Sequence, residues 1–94
     1  MKYVIYNLDK PASADLRAEA RADHISFMVS LGDRVTVGGP ILADDGQTAI
    51  GGMFVLEAAT LADAERTAAQ DPFVKAGLFV STSVRPWRLQ TSNI

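Results

Sequence analysis

His24 is the only histidine in the chain, and imidazole is the side chain that most readily takes up and returns a proton near neutral pH. A general base needs that ring neutral, held in one tautomer by a partner, and open to a substrate. The competing reading is a histidine that merely packs, neutral and hydrogen-bonded. Asp71 is the carboxylate best placed to be the partner. It stands where an apolar helical pattern stops and a β-pattern begins, in Asp71-Pro72-Phe73-Val74-Lys75-Ala76-Gly77-Leu78. A residue before proline is pushed out of the helical region, so Asp71 also reads as the N-cap of a short turn that Pro72 begins. Both roles are compatible if one carboxylate oxygen caps the turn and the other meets the imidazole.

Other groups carry weaker chemical signals. Gly38-Gly39-Pro40 lets backbone approach a ligand, since glycine removes the Cβ obstacle, and Gly39 and Pro40 are counted as substrate-binding candidates. A bulge or bend explains the same residues. The stretch lacks the spacing and following helix of a phosphate loop. Arg21, one turn before His24, is placed to meet an anionic substrate or to sit solvated at the surface. Tyr6, Ser81 and Ser83 are candidate pocket-lining groups. With no cysteine, there is no thiolate nucleophile and no disulfide framework. One histidine without an acidic cluster argues against a metal site within one chain.

These groups need a scaffold, and the pattern of apolar residues supplies one. Tyr3-Val4-Ile5-Tyr6-Asn7-Leu8 reads as a strand that is apolar on both faces. Ser13 is a good N-cap for the helix that follows. From Leu16 to Leu31 there is no glycine or proline, and Leu16, Ala20, His24, Phe27, Met28 and Leu31 share one face. His24 lies in the middle of that stripe, and Gly32 ends the helix. A strand over Arg34–Leu42, interrupted by Gly38-Gly39-Pro40, belongs at a sheet edge because proline cannot donate to the ladder. The turn at Ala43–Gln47 leads into a third strand from about Thr48 to Leu56, and these two strands pair as a hairpin. Thr60 and Asp63 form a capping box for a second helix that stops at Gln70. The last strand runs from Leu78 to Val84 and continues irregularly to Leu89.

The order β-α-β-β-α-β with right-handed crossovers predicts a single α+β domain, residues 1–94, of ferredoxin-like type: a four-stranded antiparallel sheet with two helices on one face. Two helices cover only one face, yet the strands are apolar on both. A second copy is the simplest cover, so a homodimer through the sheet face is expected. Nine basic and eleven acidic residues are interspersed, giving a net charge of −2. No basic patch for nucleic acid is visible. No apolar run approaches the ~20 residues of a membrane span, and the N-terminus has no signal-peptide pattern, so a cytoplasmic protein is expected.

Several of these pieces together resemble the YCII-related (YciI-like) domain family. They are the opening Tyr3-Val4-Ile5-Tyr6 strand, Arg21-Ala22-Asp23-His24, Gly38-Gly39-Pro40, the Asp71–Leu78 stretch and the closing Val84-Arg85-Pro86-Trp87. The Asp-Pro-Phe stretch followed by Ala-Gly is the most specific. The resemblance implies a ferredoxin-like domain of the dimeric α+β barrel type, with an active site centred on a histidine and an aspartate that map onto His24 and Asp71. The best-defined activity in such proteins is elimination of chloride from a chlorinated hydroxylated aromatic without a cofactor. Relatives of the barrel superfamily include small-lactone isomerases and monooxygenases. The expected function is therefore a cofactor-independent lyase or isomerase that moves protons on a small organic molecule with a His/Asp dyad. The alternative is a non-catalytic dimeric module that binds a metabolite or partner, in which both residues only support the fold.

Overall fold

β1 (Lys2–Asp9) runs through the middle of the sheet, and the rest of the chain is laid against it. A computed structural model describes all residues 1–94. After β1 come α1 (Ala14–Leu31), a single 3₁₀ turn (Gly32–Arg34), β2 (Val35–Leu42) and β3 (Ala49–Glu57). α2 (Leu61–Ala69), the four-residue α3 (Pro72–Lys75) and β4 (Phe79–Trp87) complete the chain. The strand order β2-β3-β1-β4 is antiparallel throughout, and the fold is α+β, ferredoxin-like.

Alternation along β1 decides what faces what. Tyr3, Ile5 and Asn7 are buried, while Val4, Tyr6 and Leu8 between them are not. The first set lies under the helices. Tyr3 and Ile5 join Phe54, Leu56, Leu31, Ala58, Ala64 and Ala68 in one core, with Phe27 and Met28 of α1 packed against it. The small alanines let α2 lie close to the strands. The second set lies on the face without helices, where Tyr6 is 40% exposed and Val37 is also exposed.

Several local signals act as the sequence predicts. β2 is an edge strand in a hairpin with β3, and Gly32 ends α1 with a positive φ of 55°. Thr60 caps α2 by accepting from the Asp63 N–H at 3.1 Å.

Others differ. β2 is not interrupted at Gly38-Gly39-Pro40. All three residues stay paired with β3, and the register shifts lie to either side, between Val35 and Val37 and between Ile41 and Leu42. A glycine pair and an edge proline are therefore accommodated within the ladder, and the bulges fall at their flanks. Ser13 stands at the start of α1 but makes no capping bond. Its hydroxyl donates instead to the Lys10 carbonyl at 2.6 Å. Asp63 does not complete a capping box, because its carboxylate pairs with Arg66 one turn on. β4 stays paired with β1 as far as Trp87, which stands opposite Lys2. No helix is long and apolar enough to cross a membrane.

Candidate active site

Two distant stretches of the chain meet at the cavity beside α1. Helical periodicity turns His24 toward the sheet, and α3, entered at Asp71, packs across the same stretch of α1. Asp71 is in the extended conformation that a following proline imposes, with φ −59° and ψ 126°. From there its Oδ1 accepts the Phe73 N–H at 2.9 Å, the N-cap bond of α3. The same Oδ1 lies 2.8 Å from Nδ1 of His24. The cap and the imidazole therefore share one oxygen, and Asp71 does not divide its two oxygens between them. Its Oδ2 is buried with no hydrogen-bond partner. A carboxylate acceptor at Nδ1 fixes the neutral ring as the Nδ1–H tautomer, leaving the lone pair of Nε2 free.

Phe73 binds the pair together. Its ring stacks on the His24 imidazole, centroids 4.1 Å apart and planes within 15°, while its N–H holds Asp71. Arg17, two turns before His24 on α1, lies over the same ring at 4.7 Å. Phe79 meets the Phe73 ring edge-on at 5.9 Å. A bulge gives Phe79 its place, because β4 pairs Ser81 with Leu8 and Phe79 with Asp9, leaving Val80 as the extra residue.

The cavity has a volume of about 300 Å³, roughly twice the ~150 Å³ that holds a benzene ring in an engineered core. Phe54, Phe73, Phe79 and Met28 give it apolar walls, and Asn7, Arg17, His24 and Asp71 give it polar groups. Burial is uneven. Asp71 is fully buried, whereas the His24 side chain is 24% exposed and so reachable. Arg17, 15% exposed, is held by Asp9 at 2.7 and 3.2 Å and by the Gly51 carbonyl at 2.9 Å. Its charge is largely met by the Asp9 carboxylate.

The candidate residues divide. The structure brings His24 and Asp71 together with Gly39 and Pro40, which also line the cavity. Arg21 is exposed on the outer side of α1 and does not line it. Tyr6 and Ser81 face the side of the sheet without helices, away from the cavity. Alternation carries that result, since Tyr6 lies between the two inward residues Ile5 and Asn7. Asn7, Arg17, Phe73 and Phe79 line the cavity without having been named as site candidates from the sequence. Arg17 had a legible signal, because it adjoins Leu16 on the inward stripe seven residues before His24. Asn7 had one too, as an amide in an otherwise apolar strand.

The YCII-related domain model matches residues 1–88. Protein YciI of Escherichia coli O6:H1 is 35% identical, the match covering 94% of this chain and 97% of that protein. Among solved structures, the 5-chloro-2-hydroxyhydroquinone dehydrochlorinase TftG of Burkholderia phenoliruptrix AC1100, in complex with 2,5-dihydroxybenzoquinone, superposes with a TM-score of 0.85. It is 32% identical, and the match covers 94% of both chains. SnoaB of Streptomyces nogalater, a cofactor-independent oxygenase, has a TM-score of 0.54 at 14% identity, covering 95% of this chain and 93% of that one. That likeness is one of fold alone.

Proposed function

The chain belongs to the YCII-related domain family, and on that premise we propose that it is a proton-transfer enzyme acting on a compact hydroxylated ring compound. The observation that carries the reading is the 2.8 Å bond between His24 Nδ1 and Asp71 Oδ1 at the wall of an apolar cavity. Nε2 is then the base. It takes a proton from an acidic O–H or C–H of the substrate, and the Asp71 carboxylate stabilises the imidazolium that forms. In an elimination of HX, the electron pair of the broken bond to hydrogen becomes a π bond of the product, and the halide leaves with the pair of the C–X bond. Such a step needs a base and a leaving group, and no electron acceptor. The dehydrochlorinase neighbour supports elimination over isomerisation as the reaction class. The cavity's volume suits one ring, and Phe73 and Phe79 offer it aromatic faces.

The working unit in this reading is a homodimer closed through the sheet face that carries Tyr6 and Val37. Exposed apolar side chains on a face without helices support it. Sedimentation equilibrium of wild type and Tyr6→Glu checks the arrangement. A wild-type monomer at micromolar concentration would remove it.

Turnover of halogenated phenols and small lactones by wild type and His24→Asn tests the activity. Loss of general-base catalysis lowers the rate by about 10²–10⁴. Equal turnover by both proteins would exclude His24 as the base.

A further inference from the structure

We infer that Asn7 is the specificity-determining residue of the cavity, its carboxamide reading an oxygen substituent on the substrate ring. Asn7 is 3% exposed, lines the cavity that holds His24 and Asp71, and its Oδ1 has no hydrogen-bond partner. A buried amide left unpaired costs the folded protein free energy that an apolar residue of the same shape would not. In a strand whose inward neighbour is Ile5, leucine would have filled the position without that cost.

Asn7 stands in the cavity wall, and the strand beside it leaves room there. Its partner on β3 is Gly52, which has no side chain to lay over it. The space over Gly52 is itself open, since a Cβ built there would meet only the Gly39 carbonyl, at 3.8 Å. The missing partner is therefore a group that enters the cavity. Of the other polar groups there, Arg17 is engaged by Asp9 and Gly51 and Asp71 Oδ1 by Phe73 and His24, while His24 Nε2 and the buried Asp71 Oδ2 have no partner.

The chemistry of a carboxamide suits this place for a further reason. It donates through one end and accepts through the other, and turning about its last bond exchanges them. Within the proton-transfer reading on which this inference rests, a ring hydroxyl becomes a carbonyl as its proton leaves, so a donor turns into an acceptor. An amide can bond both forms. A carboxylate would be repelled by the ionised oxygen, and a lysine could not accept from the hydroxyl. Substrates are thus rings bearing a hydroxyl or enol oxygen beside the reacting position.

The test measures binding by calorimetry for phenol, catechol, hydroquinone and 1,2,4-trihydroxybenzene under nitrogen, with wild type and Asn7→Leu, alongside the melting temperature of each protein without ligand. In wild type one added hydroxyl strengthens binding about tenfold, and in Asn7→Leu that step disappears. Without ligand, Asn7→Leu melts at or above the wild-type temperature. If each hydroxyl is worth the same in both proteins, Asn7 does not read it and the inference is overturned while the proton-transfer reading stands. A lower melting temperature or failure to fold in Asn7→Leu also overturns it, because the amide then has its partner inside the protein. If wild type binds none of the four, the proton-transfer reading falls and takes the inference with it.

Discussion

The bond between His24 and Asp71 makes an asymmetric prediction for stability. His24→Leu removes the imidazole and leaves the Asp71 carboxylate fully buried, with only the Phe73 N–H on Oδ1. A hydrogen bond to a charged acceptor contributes about 2 kcal/mol, and the stack on Phe73 contributes about 1 kcal/mol beyond its area. Leucine restores part of the packing, so the expected net loss is about 2–3 kcal/mol. In a domain of this length that is a fall of roughly 10–20 °C in Tm. Asp71→Ala loses the same bond and a cap of about 1 kcal/mol. It also removes the buried Oδ2 that has no partner, which returns about 1–2 kcal/mol. Asp71→Ala is therefore the milder single change. In the double variant the shared bond is lost only once, so the combined loss falls short of the sum of the singles by about 2 kcal/mol. Urea unfolding of all four proteins at pH 7, at one fixed protomer concentration, measures the cycle. Additivity within about 0.5 kcal/mol would mean that the two side chains do not interact, and the dyad would be refuted.

Two further outcomes probe the scaffold. A Cβ at Gly51 would drive into the backbone carbonyl of Asn7, so Gly51→Ala should lose about 3 kcal/mol in urea unfolding. Gly52→Ala, with its nearest neighbour at 3.8 Å, should stay near wild type. At the β2–β3 turn, hydrogen bonds from the Thr48 hydroxyl and from the Thr48 and Gln47 N–H groups lower Asp45 from 3.8 to about 2. A depressed carboxylate stabilises the fold above its unfolded value and ceases to as pH falls through its folded one. Asp45→Asn should therefore flatten the acid limb of the stability profile between about pH 4 and 2, and an unchanged limb in thermal melts would argue against these bonds.

Much of this was legible in the chain before any coordinates, and the part that was not has identifiable causes. The period of α1 put His24 inward because Leu16, Ala20, Phe27, Met28 and Leu31 share its face. Pro72 placed the break at Asp71 because its ring excludes a helical predecessor. Tyr6 and Ser81 were misplaced because an apolar strand with two covered faces does not say which parity faces the helices. A single inward neighbour, Ile5, decides it, and only packing shows that. Ser13 failed as a cap because a hydroxyl has several local carbonyls and amides to choose from, and the Lys10 carbonyl was within reach. Asn7 was passed over because the strand reading includes it without saying which parity faces the helices, and only packing turns it to the cavity side.

The use of one Asp71 oxygen for two bonds explains why so short an element as α3 exists at all. Four residues make almost no helix by themselves, since nucleation fixes several dihedrals for each bond gained. Pro72 fixes the first φ, Asp71 supplies the cap, and Gly77, at φ 76°, lets the chain turn into β4. Each of these also constrains the imidazole. The cap bond fixes the Phe73 backbone relative to the carboxylate, and the Phe73 ring then lies flat on His24. Moving Oδ1 to suit the histidine would break the cap, and moving Phe73 would break the stack. The carboxylate that holds Nδ1 is thus positioned by a turn whose stability depends on it. Pre-organisation of this kind is what a proton-transfer site needs, because a base whose partner is already in place loses little free energy to reorganisation when its charge appears.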